Sequence, residues 1–288
     1  MSTKIYSSSY QRIPLVQDSP FTYLFRTRFN EYSPDAPAYI DAASGFTITR
    51  AQTRDMSMSF AYGLRHTLAK MGGVPLTRGD VVMLLSPNSI AWPVVLFGGW
   101  AAGLRMTLAN SSYTPREAAY QWQDSKAKVI VVHPNLLPSV LEMFKLLDID
   151  LTEAQRRIIV ADWGAIPLSV QGYICMSDLL GKGTLQQEES FSGELAQDTA
   201  LLCYSSGTTG KPKGVEVSVR YTSHLLYILI RATCLRPPTK TLRRSLVSPP
   251  ESGRKAEPPP RGRSEFCHII TFMVLLPARN CVRALLTS

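Results

Sequence analysis

The sequence predicts an α/β fold, a largely parallel sheet flanked by helices, followed by a basic tail expected to be disordered. Three observations predict it. Short apolar runs of strand length alternate with stretches of helical spacing from residue 36 to residue 206. Most of these runs are bounded by Gly, Pro, Asn or Asp, the residues that end regular structure. The charge also changes character late in the chain. Residues 1–218 hold 19 basic and 19 acidic side chains, and residues 219–288 hold 12 and 3, so the whole net charge of +9 belongs to the tail.

Taken in order, residues 36–49 (APAYIDAASGFTIT) are expected to form a hairpin turning at Ser44-Gly45. Residues 50–70 place Met56, Phe60, Ala61, Leu64 and Leu68 at helical spacing, and Gly72-Gly73 ends the helix. Residues 80–88 (DVVMLLSPN) read as a buried parallel strand. The next apolar stretch, SIAWPVVLFGGWAAG, reads as a helix that Pro93 either kinks or delays. Thr114, Pro115 and Glu117 have the spacing of a helix N-cap, a first-turn proline and a capping box. Strands are then expected over 128–134, 156–162 and 200–206, with a helix over 136–147 and a polar loop over 179–198.

Several classes of function are set aside on composition. The five cysteines form no CxxC pair, and none lies near a histidine at zinc-ligand spacing. The N-terminal residues lack the apolar core of a secretory signal, and no apolar run approaches the length of a membrane span. A cytoplasmic protein is the expectation. Trp92, Trp100 and Trp122 are expected in the core, and Cys203, inside an apolar strand, as a small buried hydrophobe.

The chemistry is concentrated in residues 204–214, YSSGTTGKPKG. Glycine lets backbone approach a ligand closely, so that successive N–H groups can face phosphate oxygens. Ser205, Ser206, Thr208 and Thr209 add hydroxyl donors, Lys211 and Lys213 add positive charge, and Pro212 stiffens the span between them. The stretch follows an apolar strand, which places it at the carboxyl end of a sheet, where α/β folds bind ligands. It is not a Walker A loop: counted from Gly207, the position that loop needs for its second glycine is Pro212.

At these residues the sequence resembles the adenylate-forming superfamily of acyl-CoA synthetases, luciferases and peptide-synthetase adenylation domains, and most of all its 4-coumarate–CoA ligase-like branch. The resemblance extends upstream through RGDVVMLLSPN and ANSSYTPREAAYQWQDSKAKVIVV and covers residues 20–218. It implies a partial AMP-binding domain, the N-terminal part of the large adenylate-forming domain. The implied reaction joins a small carboxylic acid to CoA through an acyl-adenylate, with ATP, Mg2+ and CoA as cofactors. It further implies that Ser205, Ser206, Gly207, Thr208, Thr209, Gly210, Lys211 and Lys213 grip the β- and γ-phosphates.

The resemblance stops short of a whole site. Val219 stands where the family has histidine, and four later elements of the family are missing. These are the aromatic-Gly-x-Thr-Glu segment for adenine and magnesium, the Thr-Gly-Asp for ribose, the hinge, and a C-terminal lysine. The one Gly-Asp pair, Gly79-Asp80, opens an early strand and is not the ribose element. No catalytic residue and no metal ligand is therefore assigned.

Residues 219–288 hold eight of the twenty prolines and no aspartate, and their apolar pieces show no sustained period. Three origins are open for this basic Pro/Arg-rich tail: a nucleic-acid or membrane arm, a new interaction segment, or translated non-coding sequence beginning at Val219. The expectation is a truncated acid–CoA ligase-like chain that does not turn over, with nucleic acid an unlikely partner. The alternative is a non-catalytic protein that binds through its tail. A peroxisomal location is open for a longer form, although no such signal ends this chain.

Overall fold

A computed structural model describes residues 15–27, 33–42, 44–162, 172–205, 212–235 and 285–286. At its centre is a seven-stranded sheet of β3 (Val81–Leu85), β4 (Arg105–Ala109), β5 (Ala127–Val132), β6 (Ile158–Val160), β7 (Ile174–Cys175), β8 (Thr199–Ser205) and β9 (Lys213–Ser218). The strand order is β7-β6-β5-β3-β4-β8-β9. Every neighbouring pair is parallel except β8 and β9. A separate small sheet holds the expected hairpin, β1 (Pro37–Asp41) and β2 (Thr47–Thr49), with β10 (Leu285–Leu286) parallel to β1.

The strands lack a polar alternation because both faces of the sheet are covered. All five residues of β3 are buried. Val82 and Leu84 point into one core, and Val81, Met83 and Leu85 point into the other. The first core is closed by α2 (Arg50–Tyr62), α3 (Ala91–Ala101), the segment of α1 (Pro20–Thr22) and α8 (Val219–Leu235). The second is closed by α4 (Pro115–Ser125), α5 (Leu137–Leu146) and α6 (Leu151–Arg157). The result is three layers, helices on both faces of a mainly parallel sheet.

The helices start where the sequence places them. Thr114 caps α4, with Glu117 N donating to its hydroxyl (3.4 Å) and Glu117 Oε2 accepting from Thr114 N (2.8 Å). These bonds hold the Glu117 carboxyl below its usual range. Pro93 does not kink α3. The helix begins late, at Ala91, so the proline sits in the first turn, where its missing N–H has no intrahelical acceptor. Every residue of α3 is buried, and it lies close against α2 because Gly98 has no side chain. A Cβ there would sit 2.9 Å from Phe60 Cδ1 and 3.0 Å from Ser57 O.

Four departures from expectation have physical causes. β4 was not foreseen, because Arg105 and the buried Thr107 interrupt its apolar run. The strand expected over 156–162 is shorter, because Asp150 caps α6 and Arg156 and Arg157 close its last turn by pairing with Glu153. Residues 179–198 are largely a connection, as expected, but a pinned one. Glu188 accepts from Arg26 (2.6 Å), and Arg78 reaches both Glu189 (3.0 Å) and Asp198 (2.9 Å).

The fourth departure is the largest. The tail was expected to lack periodic structure from Val219, yet residues 219–235 form one helix running directly out of β9. Val219, Thr222, Ser223, Leu226 and Ile230 are its buried stripe, at helical spacing. Two of the five are hydroxyl residues, which hid the period. Thr222 and Ser223 donate to the carbonyls of Ser218 (2.9 Å) and Val219 (3.0 Å), so their polar atoms are satisfied while buried. Residues 236–284, which hold the proline-rich part of the expected tail, lie outside the described residues.

Candidate functional site

The site follows from the strand order. The chain leaving β4 passes back across β3 to reach β5, whereas the chain leaving β8 turns outward to β9. The connections therefore diverge at the carboxyl ends of β4 and β8, which is where open α/β sheets form a ligand crevice. The strand β8 is set against β4 through Met106↔Leu201 and Thr107↔Leu202. Residues 206–212 join β8 to β9 at that end.

Ser205 is the last residue of β8 and Lys213 the first of β9; both are exposed, and the two are register partners. Ser205 and Lys213 thus face each other across the mouth of the hairpin. Ser206, Gly207, Thr208, Thr209, Gly210 and Lys211 lie outside the described residues.

Beneath this mouth is a cluster that the sequence did not signal. Tyr204 donates to Asp124 Oδ2 of α4 at 2.6 Å, and Tyr120, one turn earlier on α4, donates to the carbonyl of Pro212 at 2.9 Å. The two phenol rings meet edge to face, with centroids 6.5 Å apart. Burial, then the Asp124 carboxylate, push the Tyr204 phenol well above its ordinary range, so it remains a donor at physiological pH. On the same helix, the buried Gln121 donates to Thr107 Oγ1 (2.8 Å) and Leu108 O (3.2 Å), fastening α4 to β4.

Gly214 belongs to this cluster and not to the span joining the strands. It is the register partner of Tyr204 inside the β8–β9 ladder. A Cβ on it would lie 3.0 Å from Tyr204 Cζ and 3.3 Å from Asp124 Oδ2. A side chain on the third glycine of the motif would thus press on the tyrosine across the ladder.

Gly79-Asp80 is placed at the opposite end of the sheet, before β3. Asp80 pairs with Lys128 (2.7 Å) and accepts from Thr77 N (2.8 Å). Burial would raise its pKa, but these bonds outweigh burial and hold the carboxyl below its usual range. The strand registers keep Asp80 more than about 20 Å from the hairpin mouth, given the rise per residue of a strand. The three tryptophans and Cys203 are core residues, as expected.

Among the described residues no group of three or more His, Cys, Asp or Glu side chains converges to hold a metal ion. The donors at the hairpin mouth, a hydroxyl and an ammonium, suit an anion. They do not fit Mg2+ as an all-protein site.

Comparison with known proteins agrees with this architecture. The family model for AMP-binding enzymes matches residues 25–242, and the chain belongs to that family. The match runs past Ser218 and takes in α8, where the resemblance was expected to end. The chain is 31% identical over 241 residues to the 4-coumarate–CoA ligase-like 3 protein of Oryza sativa subsp. japonica, covering 80% of this chain and 38% of that one. It is 31% identical over 214 residues to a long-chain-fatty-acid–CoA ligase of Salmonella typhimurium, covering 68% and 36%. Among solved structures, the red-emitting luciferase of Phrixothrix hirtus superposes with a TM-score of 0.60 at 26% identity, over 76% of this chain and 39% of that one. The chain thus spans well under half the length of these relatives. No helix among the described residues is long and apolar enough to cross a membrane.

Proposed function

We propose that these 288 residues carry the polyphosphate-gripping part of an acid–CoA ligase site, bind ATP through residues 205–213, and do not complete adenylation alone. The observation that carries this reading is the β8–β9 hairpin. It sets Ser205 and Lys213 side by side where the connections of the sheet diverge. In this reading the hydroxyls of Ser205, Ser206, Thr208 and Thr209 and the charges of Lys211 and Lys213 hold the β- and γ-phosphates, with Gly207 and Gly210 allowing close approach.

The family's chemistry asks a protein mainly to position the nucleotide and to stabilise charge on the departing pyrophosphate. Ligation would also require groups for adenine, ribose, magnesium and the reacting carboxylate, and none of these is assigned in this sequence. Coverage of 38% and 36% of the two ligase relatives supports that division. The acid is of the kind that CoA ligases activate, and CoA and Mg2+ belong to the whole enzyme. Residues 20–218 with α8 form the main folded unit, with β10 beside β1.

The test is ATP-dependent exchange of labelled pyrophosphate by the purified 288-residue chain, across a panel of aromatic and fatty acids. No exchange above background is expected with any acid. Acid-dependent exchange would overturn the proposal.

A further inference from the structure

The residues beneath the hairpin mouth act together, and two of them are far from it in sequence. Asp124 lies 80 residues from Tyr204, and Tyr120 lies 92 residues from Pro212. Helix α4 therefore holds both sides of the hairpin. Asp124 accepts from the β8 side through Tyr204, and Tyr120 donates to the backbone on the β9 side through Pro212. Gly214 leaves the room in which the Tyr204 hydroxyl reaches Asp124. The helix is itself tied to β4 by the buried Gln121.

We propose that Tyr120, Asp124, Tyr204 and Gly214 form a latch that fixes the spacing and direction of the hairpin mouth. They are positioning residues for whatever anion Ser205 and Lys213 meet. Such a role gives two phenols and a carboxylate a reason to converge beneath the mouth. The bond from Tyr204 is charge-assisted, so it is the strong member of the set. The proposal rests on the polyphosphate reading only for the identity of the anion.

Two readouts on the full chain keep latch and ligand apart. The first is amide hydrogen exchange at residues 213–216, without nucleotide. In Tyr204→Phe and Gly214→Ala, exchange there is expected to rise about tenfold, the order expected from losing one hydrogen bond to a charged group, while β3 and β5 keep their protection. Asp124→Asn retains an acceptor oxygen and is expected to stay within about threefold of the parent, whereas Asp124→Ala behaves like Tyr204→Phe. The second readout is calorimetric binding of ATP and of inorganic pyrophosphate, expected to weaken about tenfold in Tyr204→Phe while the thermal midpoint of the sheet changes little.

Unchanged exchange at 213–216 in both Tyr204→Phe and Asp124→Ala overturns the latch. Raised exchange there in Tyr204→Phe and Asp124→Ala, with a parent chain that binds neither ATP nor pyrophosphate, supports the latch and overturns the polyphosphate reading alone. A general loss of protection across the sheet in every variant, including Asp124→Asn, would make the cluster ordinary core and also overturns the latch.

Discussion

At the scale of single residues, burial decides most roles, and the polar atoms that are buried carry the testable consequences. Trp100 is 2% exposed and its Nε1 donates to Ala200 O at 3.1 Å, bridging α3 to β8. Trp100→Phe keeps most of the volume and deletes the donor, so chemical denaturation should show a loss of about 1–2 kcal/mol. His133, 8% exposed at the end of β5, accepts from Asn135 N through Nδ1, and burial lowers its pKa from the ordinary 6.5. The unfolded chain therefore takes up a proton near pH 6.5, while the folded chain does so only at lower pH. In that interval the unfolded state binds more protons, and stability falls as the solution is acidified. Denaturation midpoints measured between about pH 5 and 6.5 should drop in the parent and stay nearly level in His133→Asn. The carboxyls of Asp80 and Glu117, both held low, lose their contribution only below that interval. Residue roles were unevenly legible. Thr114 and Glu117 announced their capping box because both partners lie within one turn. Tyr120 and Asp124 gave no sign, because what they do depends on contacts across 80 to 92 positions of sequence.

At the scale of elements, α8 is where the sequence and the structure part most clearly. A count of apolar side chains finds no period from Val219 onward, since the buried stripe includes Thr222 and Ser223. The local rule that would have found it is back-bonding of hydroxyls to the preceding turn, which lets Ser and Thr occupy a buried helix face. The stripe has an energetic meaning. Leu226 and Ile230, 1% and 6% exposed, cover the sheet face that Leu201, Cys203 and Val217 present. Burial of two such side chains contributes about 3–6 kcal/mol. Removing residues 219–288 should therefore yield an aggregating protein that binds hydrophobic dyes, whereas removing only 236–288, which takes the two-residue β10 from beside β1, should leave a soluble one. Equal behaviour of the two deletions would contradict the role given to α8. β4 and β7 were missed for a different reason. A five-residue strand opening on Arg105 and a two-residue strand carry too little pattern to separate from a turn.

At the scale of the whole molecule, the parallel sheet and its two covered faces were legible, because continuous apolar strands between helices admit few other arrangements. The carboxyl-end placement of the motif was legible too. The strand order was not, since order depends on which connections cross the sheet, and nothing local records that. The order matters for the proposal, because it makes the connections of β4 and β8 diverge, the place where such sheets bind ligands. The central claim is that the chain grips a polyphosphate through the residues joining β8 and β9 without carrying the rest of a ligase site. The most direct measurement is a calorimetric titration of the 288-residue chain with ATP, alongside Lys211→Ala and Lys213→Ala. Saturable binding in the parent that weakens at least about tenfold in each variant is predicted, consistent with loss of a charge-assisted contact. ATP binding of equal strength in all three proteins, or none in the parent, would contradict it.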